Sequence, residues 1–187
     1  DCATGDLLVS ASSPGYDPNP FVFGISTDAW NALLHDPYRP LADKAVSGLY
    51  PPGSTWKMVV ALAGLEAGLL DPKETVFCNG RLKLGNRYFH CWRWGGHGHV
   101  ALQESLSESC DVYYYEMARR VGIDRISDMA GRLGLGVGHE LPLPAVREGL
   151  APTRDWKLGA RGEAWLVGDT FNAGIGQGFV LTSPLQL

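Results

Sequence analysis

The amino-acid sequence predicts an α+β fold with more helix than strand. Several segments repeat apolar residues at helical spacing, and the longest runs from 54 to 69. Residues 73–100 lack that periodicity and are typical of loops and short strands. The 187 residues are enough to bury a core, either as one domain or as part of a larger one.

Composition excludes several classes of protein. The formal net charge of −4 gives no basic footprint for nucleic acid. With 45% hydrophobic residues, 24 Gly and four Cys, the chain is not a coiled coil, a collagen, a disordered tail or a disulfide-dense miniprotein. No apolar run reaches the ~18–20 residues of a membrane span. No signal peptide is visible, but a soluble piece of a membrane-anchored protein remains compatible with the sequence.

The first forty residues predict a strand, a loop and a helix. Residues 7–12 follow a turn and are expected to be the second arm of a hairpin whose first arm would precede residue 1. Residues 13–24 are expected to be a loop, because they contain the breakers Pro14, Gly15, Pro18, Asn19, Pro20 and Gly24. A short helix is expected at about 26–34, with Ser26 or Thr27 as its N-cap.

The best helix follows an extended run, Gly48 to Gly53. It is expected over 54–69, and it should be buried on most sides because apolar residues cover nearly every face. Shorter helices are expected at about 102–108, 112–121 and 124–133. Residues 134–170 are expected to be irregular, and a new helix is expected to begin at Thr182-Ser183-Pro184.

A candidate nucleophile lies at the start of the long helix. Ser54 and Lys57 are three residues apart, so they share one helix face. A helix N-terminus stabilises a developing alkoxide, and a buried lysine that becomes neutral can accept the serine proton. The alternative is that Ser54 is only an N-cap and Lys57 a solvated residue of the first turn.

A second candidate element is Ser109-Cys110-Asp111, between two expected helices. Ser109 and Asp111 cannot share a helix face, but on a loop both can point into one cleft. The alternative is that one of them caps the following helix.

Three cysteines and a histidine form a candidate metal site. Cys78, Cys91, His97 and Cys110 are the set of four that structural zinc requires, and Cys110 would tie the 73–100 region to the Ser109–Asp111 loop. His90 and His99 are alternative ligands. Two other interpretations stay open, a disulfide between Cys78 and Cys91, or reduced buried thiols.

These motifs resemble those of penicillin-binding proteins and serine β-lactamases, in which Ser-x-x-Lys precedes Ser-x-Asn/Asp and Lys-Thr-Gly. The resemblance is to the elongation-type class B penicillin-binding proteins, penicillin-binding protein 2, and it covers essentially the whole chain. The segments that carry it are Tyr50-Pro51-Pro52-Gly53-Ser54-Thr55-Trp56-Lys57, Phe21 to Arg39, Trp94-Gly95-Gly96-His97-Gly98-His99, and Gly168-Asp169-Thr170 through Gln177-Gly178.

The resemblance implies a transpeptidase fold, in which helices cover an antiparallel sheet and an all-helical part lies across the cleft. The chain would be a partial transpeptidase domain, residues 1–187, with most of the helical part and an incomplete sheet. It implies a D,D-transpeptidase that cross-links peptidoglycan in cell elongation and cell shape, and that β-lactams acylate. The implied partners are stem peptides, β-lactam antibiotics and a membrane glycosyltransferase, at the periplasmic face of the bacterial inner membrane.

The resemblance also implies roles for single residues. Ser54 would form the acyl-enzyme, Lys57 would be the base and Ser109 would help to shuttle the proton. Asp111 stands where most of the superfamily carries Asn, which exchanges an amide for a carboxylate. No Lys-Thr-Gly or Lys-Ser-Gly occurs in the 187 residues. That strand would supply carboxylate recognition and one of two oxyanion donors, so this chain is expected to be weakly active or inactive.

Two other functions remain possible from the sequence. A serine β-lactamase or related hydrolase shares Ser-x-x-Lys, and it would hydrolyse its acyl-enzyme rapidly. A non-catalytic periplasmic zinc-binding module would bind zinc stoichiometrically and would not be acylated.

Overall fold

The computed structural model describes all 187 residues and contains seven α-helices and four short strands. The helices are α1 (Thr27–His35), α2 (Lys57–Glu66), α3 (Leu102–Ser107), α4 (Asp111–Val121), α5 (Ile123–Arg132), α6 (Arg154–Arg161) and α7 (Val167–Gly174). The strands are β1 (Val76–Cys78), β2 (Arg81–Leu84), β3 (Arg87–His90) and β4 (Gly98–Val100). No helix has both the length and the apolar character needed to cross a bilayer.

Helix α4 is the centre of the core. It contacts α2, α5, α7 and β1. Seven of its eleven residues are buried, because its apolar positions fall on more than one face. Since its first residue is Asp111, the best-packed helix of the chain also fixes one end of the Ser109–Asp111 loop.

Helix α2 differs from its prediction in length and burial. It begins at Lys57, after a 3₁₀ turn over Gly53–Trp56, and ends at Glu66. One side packs in the core through Val59, Val60 and Ala63, whereas Met58 is 57% exposed. Exposed apolar residues continue along that other side at Leu62 and Leu65, at i, i+4 and i+7 spacing. The prediction of burial on most sides is therefore wrong for this face.

The strands form two separate antiparallel pairs. Strand β1 pairs with β4, with Cys78 opposite Gly98, and β2 pairs with β3 as a hairpin. This confirms short strands within 73–100. Residues 7–12 form no strand pairing within this chain, and Leu7, Leu8 and Val9 are exposed. Because their expected hairpin partner would precede residue 1, this strand stays a prediction.

Helix α1 confirms the expected helix, with the Ser26 hydroxyl accepting a hydrogen bond from the Ala29 N–H at 3.2 Å. The helices expected at 102–108, 112–121 and 124–133 are also present. The assignment of 134–170 as irregular is wrong, because this region contains α6 and the start of α7. Where a helix is expected to start, Thr182 forms a bridge to Tyr50, and residues 184–186 form a single turn in which the Leu187 N–H donates to the Ser183 carbonyl oxygen at 3.3 Å. A helix beginning at this turn stays a prediction.

Candidate active site

Ser54 lies in the 3₁₀ turn that leads into α2. Gly53, directly before it, has φ of +59°, a conformation that glycine adopts without steric cost. Lys57 is the first residue of α2, one turn further on, and it is only 1% exposed. Ser54 and Lys57 therefore point towards the same region, as their spacing predicts.

Ser109 joins these two side chains. Its Oγ is 2.7 Å from Ser54 Oγ, and Lys57 Nζ donates to it at 2.9 Å. Lys57 also donates to the Ser109 carbonyl oxygen at 2.8 Å. Ser109 adopts φ of +52°, which is uncommon for a residue with a side chain and here places both of its oxygens beside Lys57.

Asp111 completes the set from the start of α4. Its Oδ1 accepts from Lys57 Nζ at 2.7 Å, and its Oδ2 accepts from the Trp92 backbone N–H at 3.0 Å. Lys57 therefore has three acceptors for its three N–H bonds, and Ser54 Oγ is not among them. Ser109 Oγ is the atom that connects Ser54 to Lys57.

The wall behind Lys57 is aromatic. The Tyr114 ring centroid lies 5.6 Å from Lys57 Nζ. Burial raises the pKa of Tyr114 to about 12, so its hydroxyl stays protonated at neutral pH. An apolar wall with a neutral phenol strengthens the electrostatic interactions of the lysine, because water is excluded on that side.

Beside this site, four possible metal ligands converge. The side-chain donor atoms of Cys78, Cys91, His97 and Cys110 all lie within 4.8 Å of one another. Cys78 Sγ and Cys91 Sγ are 3.6 Å and 3.5 Å from His97 Nδ1. None of the cysteines forms a disulfide. The alternative ligands His90 and His99 are outside the cluster.

The sulfur–nitrogen distances fit a tetrahedral zinc site. With Zn–S near 2.3 Å and Zn–N near 2.0–2.1 Å, tetrahedral geometry places S and N about 3.6 Å apart. The His97 side chain is fully buried, and its Nε2 lacks a hydrogen-bond partner although Glu108 Oε2 is 3.8 Å away. Burial raises the pKa of the Cys110 thiol, and the neighbouring Cys78 and Cys91 raise it further.

Comparison with known proteins identifies the family. All of residues 1–187 match the family model described as the penicillin binding protein transpeptidase domain. The chain belongs to this family. It is 41% identical over 189 residues to the peptidoglycan D,D-transpeptidase MrdA of Escherichia coli strain K12. That alignment includes all of this chain but 30% of the relative, so the chain spans less than a third of that protein's length.

Solved structures of the family share the fold. The crystal structure of Pseudomonas aeruginosa PBP2 in complex with WCK 5153 is similar at a TM-score of 0.91 with 42% identity, over 98% of this chain and 41% of that one. Penicillin-binding protein A from M. tuberculosis, described as a penicillin G acyl-enzyme complex, has a TM-score of 0.82 with 27% identity, over 98% and 41%. The expected transpeptidase fold is thereby confirmed.

The structure brings the predicted site residues together in two adjacent groups: Ser54, Lys57, Ser109 and Asp111, and Cys78, Cys91, His97 and Cys110. Sequence analysis missed Trp92, whose backbone N–H holds Asp111, because a backbone donor leaves no pattern in the side chains. It noted residues 174–178 only as part of a segment that carries the family resemblance. Gly176 in fact contacts the turn that carries Ser54, since its carbonyl oxygen accepts from the Gly53 N–H at 2.9 Å.

Proposed function

We propose that this chain supplies the acylating residues of a peptidoglycan D,D-transpeptidase, with Ser54 as the nucleophile. The observation that carries the proposal is the continuous hydrogen-bonded path from Ser54 Oγ through Ser109 Oγ to Lys57 Nζ, at 2.7 and 2.9 Å. A nucleophilic serine needs a base within hydrogen-bond reach, directly or through one intervening group. The family named above acts on peptidoglycan, which agrees with this chemistry.

The acylation step follows from this path. Lys57 must first release one of its protons. Ser54 Oγ then attacks the carbonyl carbon of the penultimate D-alanine, and the Ser54 proton passes to Ser109 Oγ as the Ser109 proton passes to Lys57. The amide C–N bond breaks, the departing D-alanine takes the proton from Lys57, and an ester to Ser54 remains. The amine of a second stem peptide attacks this ester and forms the new amide bond, while its proton passes by way of Lys57 and Ser109 to the departing Ser54 Oγ. A β-lactam would react in the same way through its ring amide.

We assign Asp111 to positioning rather than to contact with substrate. Both of its carboxylate oxygens are already engaged, one by Lys57 and the other by the Trp92 N–H. A carboxylate in this place fixes the lysine and, through it, Ser109. This accounts for how an acidic residue serves where most relatives in the superfamily carry an amide.

We further propose that acylation by this chain alone is slow. In the penicillin-binding proteins that the chain resembles, one oxyanion donor comes from a Lys-Thr-Gly strand. The 187 residues contain no such sequence. Loss of one oxyanion donor reduces the rate by about 10²–10³-fold. The Ser54 N–H would be the remaining donor.

Intact-mass measurement after prolonged incubation with benzylpenicillin tests the nucleophile. We expect a slow 1:1 adduct on the chain and none on Ser54→Ala. Ser107→Ala, which removes an exposed hydroxyl of α3, is the matched control and should form the adduct. A folded wild-type chain that forms no adduct would overturn the proposal for these residues. An adduct that forms and rapidly disappears would favour the β-lactamase-like alternative.

We also propose that Cys78, Cys91, His97 and Cys110 bind one structural zinc ion. The support is the fit of the sulfur–nitrogen distances to tetrahedral geometry and the supply of four protein ligands, which leaves no open position for water. The ion would hold β1, β3 and the loop before α4 together. Chemistry at Ser54 would not pass through it.

Metal analysis combined with thiol counting tests the zinc proposal. We expect one zinc ion per chain and, after denaturation with a chelator, four titratable thiols. Removing the ion from the native chain should lower Tm, because bound metal stabilises the folded state. Two titratable thiols without zinc would support the Cys78–Cys91 disulfide, and four thiols without zinc would support reduced cysteines.

For the whole protein, we propose action on stem peptides at the periplasmic face of the inner membrane, together with a membrane glycosyltransferase. The support is the family membership and the similarity to MrdA. Acylation of the cell-envelope protein by a fluorescent penicillin in intact cells would test this location, and labelling only after the inner membrane is permeabilised would contradict it.

A further inference from the structure

We propose that the segment Gly174-Ile175-Gly176, which runs from the last residue of α7 into the following turn, is a positioning element that sets the separation between Ser54 and the Ser109–Asp111 loop. The expected effect on acylation rests on the proposed function, whereas the effect on the separation rests on the contacts of the two glycines. The two glycines touch the two elements that carry the reacting groups, one on each side. Ile175 between them is buried.

Gly176 is in contact with the nucleophile turn. Its carbonyl oxygen accepts from the Gly53 N–H at 2.9 Å. A Cβ at Gly176 would lie 2.3 Å from the Gly53 carbonyl oxygen and 2.7 Å from Trp56 Cβ. Backbone and a Cβ cannot rotate away as the end of a flexible side chain can. Any side chain at 176 must therefore displace the turn that contains Ser54.

Gly174 is in contact with helix α4. A Cβ there would lie 2.5 Å from Ala118 Cβ and 3.1 Å from the Tyr114 carbonyl oxygen. Gly174 does not have positive φ, so its requirement for glycine is steric rather than conformational. The close approach of α7 to α4 fixes where α4 lies, and α4 begins at Asp111.

The reacting groups tolerate little displacement. The path from Ser54 to Lys57 uses hydrogen bonds of 2.7 and 2.9 Å that pass through Ser109. A shift of about 1 Å between the α2 and α4 sides would break this path, and misplacement of that size can cost about 10²-fold in rate. The segment from Gly174 to Gly176 contacts both sides at once.

Gly176→Ala is the main test, with Gly162→Ala as its matched control. Both glycines have φ of +68°, so both variants place an alanine at the same positive φ, but a Cβ at 162 meets no atom within 4 Å. We expect Gly176→Ala to shift the backbone amide NMR signals of Ser54 and Ser109. We also expect it to slow the penicillin acylation rate constant by about tenfold or more, with the non-covalent affinity unchanged. Gly162→Ala should resemble wild type in all three.

If Gly176→Ala does not fold, two other variants test the same proposal. They are Gly174→Ala alone and Gly174→Ala combined with Ala118→Gly. Gly174→Ala should perturb the Ser109 and Asp111 signals and slow acylation. The double variant should restore both, because it removes the atom that the new Cβ meets. Equal effects of Gly176→Ala and Gly162→Ala, or no restoration by Ala118→Gly, would overturn the proposal. If the wild-type chain is not acylated, the proposed function fails, and the amide signals still decide the positioning role.

Discussion

At the scale of single residues, Asp111 has the most demanding position. It pairs with a lysine that is 1% exposed while its own side chain is 14% exposed. A charge removed from water in this way depends on its partner, because an uncompensated buried charge is costly. The bidentate use of its carboxylate means that no single neutral side chain can replace both interactions.

Asp111→Ala should therefore destabilise the fold strongly. We expect a loss of about 3–5 kcal/mol in the free energy of unfolding, since Lys57 would remain buried without a counter-charge. Asp111→Asn should lose less, because its amide oxygen can still accept one hydrogen bond. Urea unfolding of both variants measures this. A stability of Asp111→Ala equal to wild type would contradict the buried ion pair.

Sequence alone located Ser54, Lys57, Ser109 and Asp111 because each is part of a spaced motif. It could not give the order of their contacts. The connection through Ser109 depends on a backbone φ of +52°, and a serine in that conformation has no signature in sequence. The four-ligand set could be predicted because structural zinc uses Cys and His in fours, and because Cys110 lies between Ser109 and Asp111.

At the scale of elements, α2 and α4 show how an apolar residue can be central to stability or irrelevant to it. Met117 of α4 is 2% exposed and belongs to the core, whereas Met58 of α2 is 57% exposed. Both lie within helices, so substitution by alanine changes helix propensity little in either case.

Met117→Ala should cost about 2–5 kcal/mol in the free energy of unfolding, because it leaves a cavity in the core. Met58→Ala should stay within about 0.5 kcal/mol of wild type, since its side chain is mostly in water. Denaturant unfolding compares the two. Similar losses for both variants would contradict the assignment of an exposed face on α2.

Helices α6 and α7 escaped sequence analysis for a physical reason. Each has only eight residues, and the several Gly and Pro residues of 134–170 indicate irregular structure. The N-cap of α6 was visible in principle, since the Thr153 hydroxyl accepts from the Trp156 N–H at 3.0 Å. The strand expected at 7–12 stays a prediction, because the hairpin arm that would pair with it is expected before residue 1.

At the scale of the whole molecule, two arginine–carboxylate pairs connect distant parts of the chain. Glu66 at the end of α2 pairs with Arg132 of α5, and Glu74 pairs with Arg120 of α4. Hydrogen bonds from the arginines lower the pKa of both glutamates below 4.5. The stabilisation from these two ion pairs is therefore present above pH 4.5, and it is lost as the pH falls through the lowered pKa values of the two glutamates.

A variant with Glu66→Gln and Glu74→Gln tests this pH dependence. We expect a slightly lower Tm than wild type at neutral pH, because both pairs are exposed and screened. The difference should shrink at higher salt and should disappear in acid, where the wild-type carboxylates are protonated as well. Thermal unfolding of both proteins between neutral and acidic pH measures this difference in Tm. A difference in Tm that grows in acid would contradict the lowered pKa values of the glutamates.

The central claim is that Ser109 carries the proton between Ser54 and Lys57, and one rate tests it most directly. The measurement is the penicillin acylation rate constant of Ser109→Ala relative to wild type, with folding verified for both chains. A decrease of about 10²–10⁴-fold is predicted, which is the usual contribution of a positioned proton-transfer group. Acylation of Ser109→Ala at the wild-type rate would contradict the relay, and the base would then have to reach Ser54 by another path.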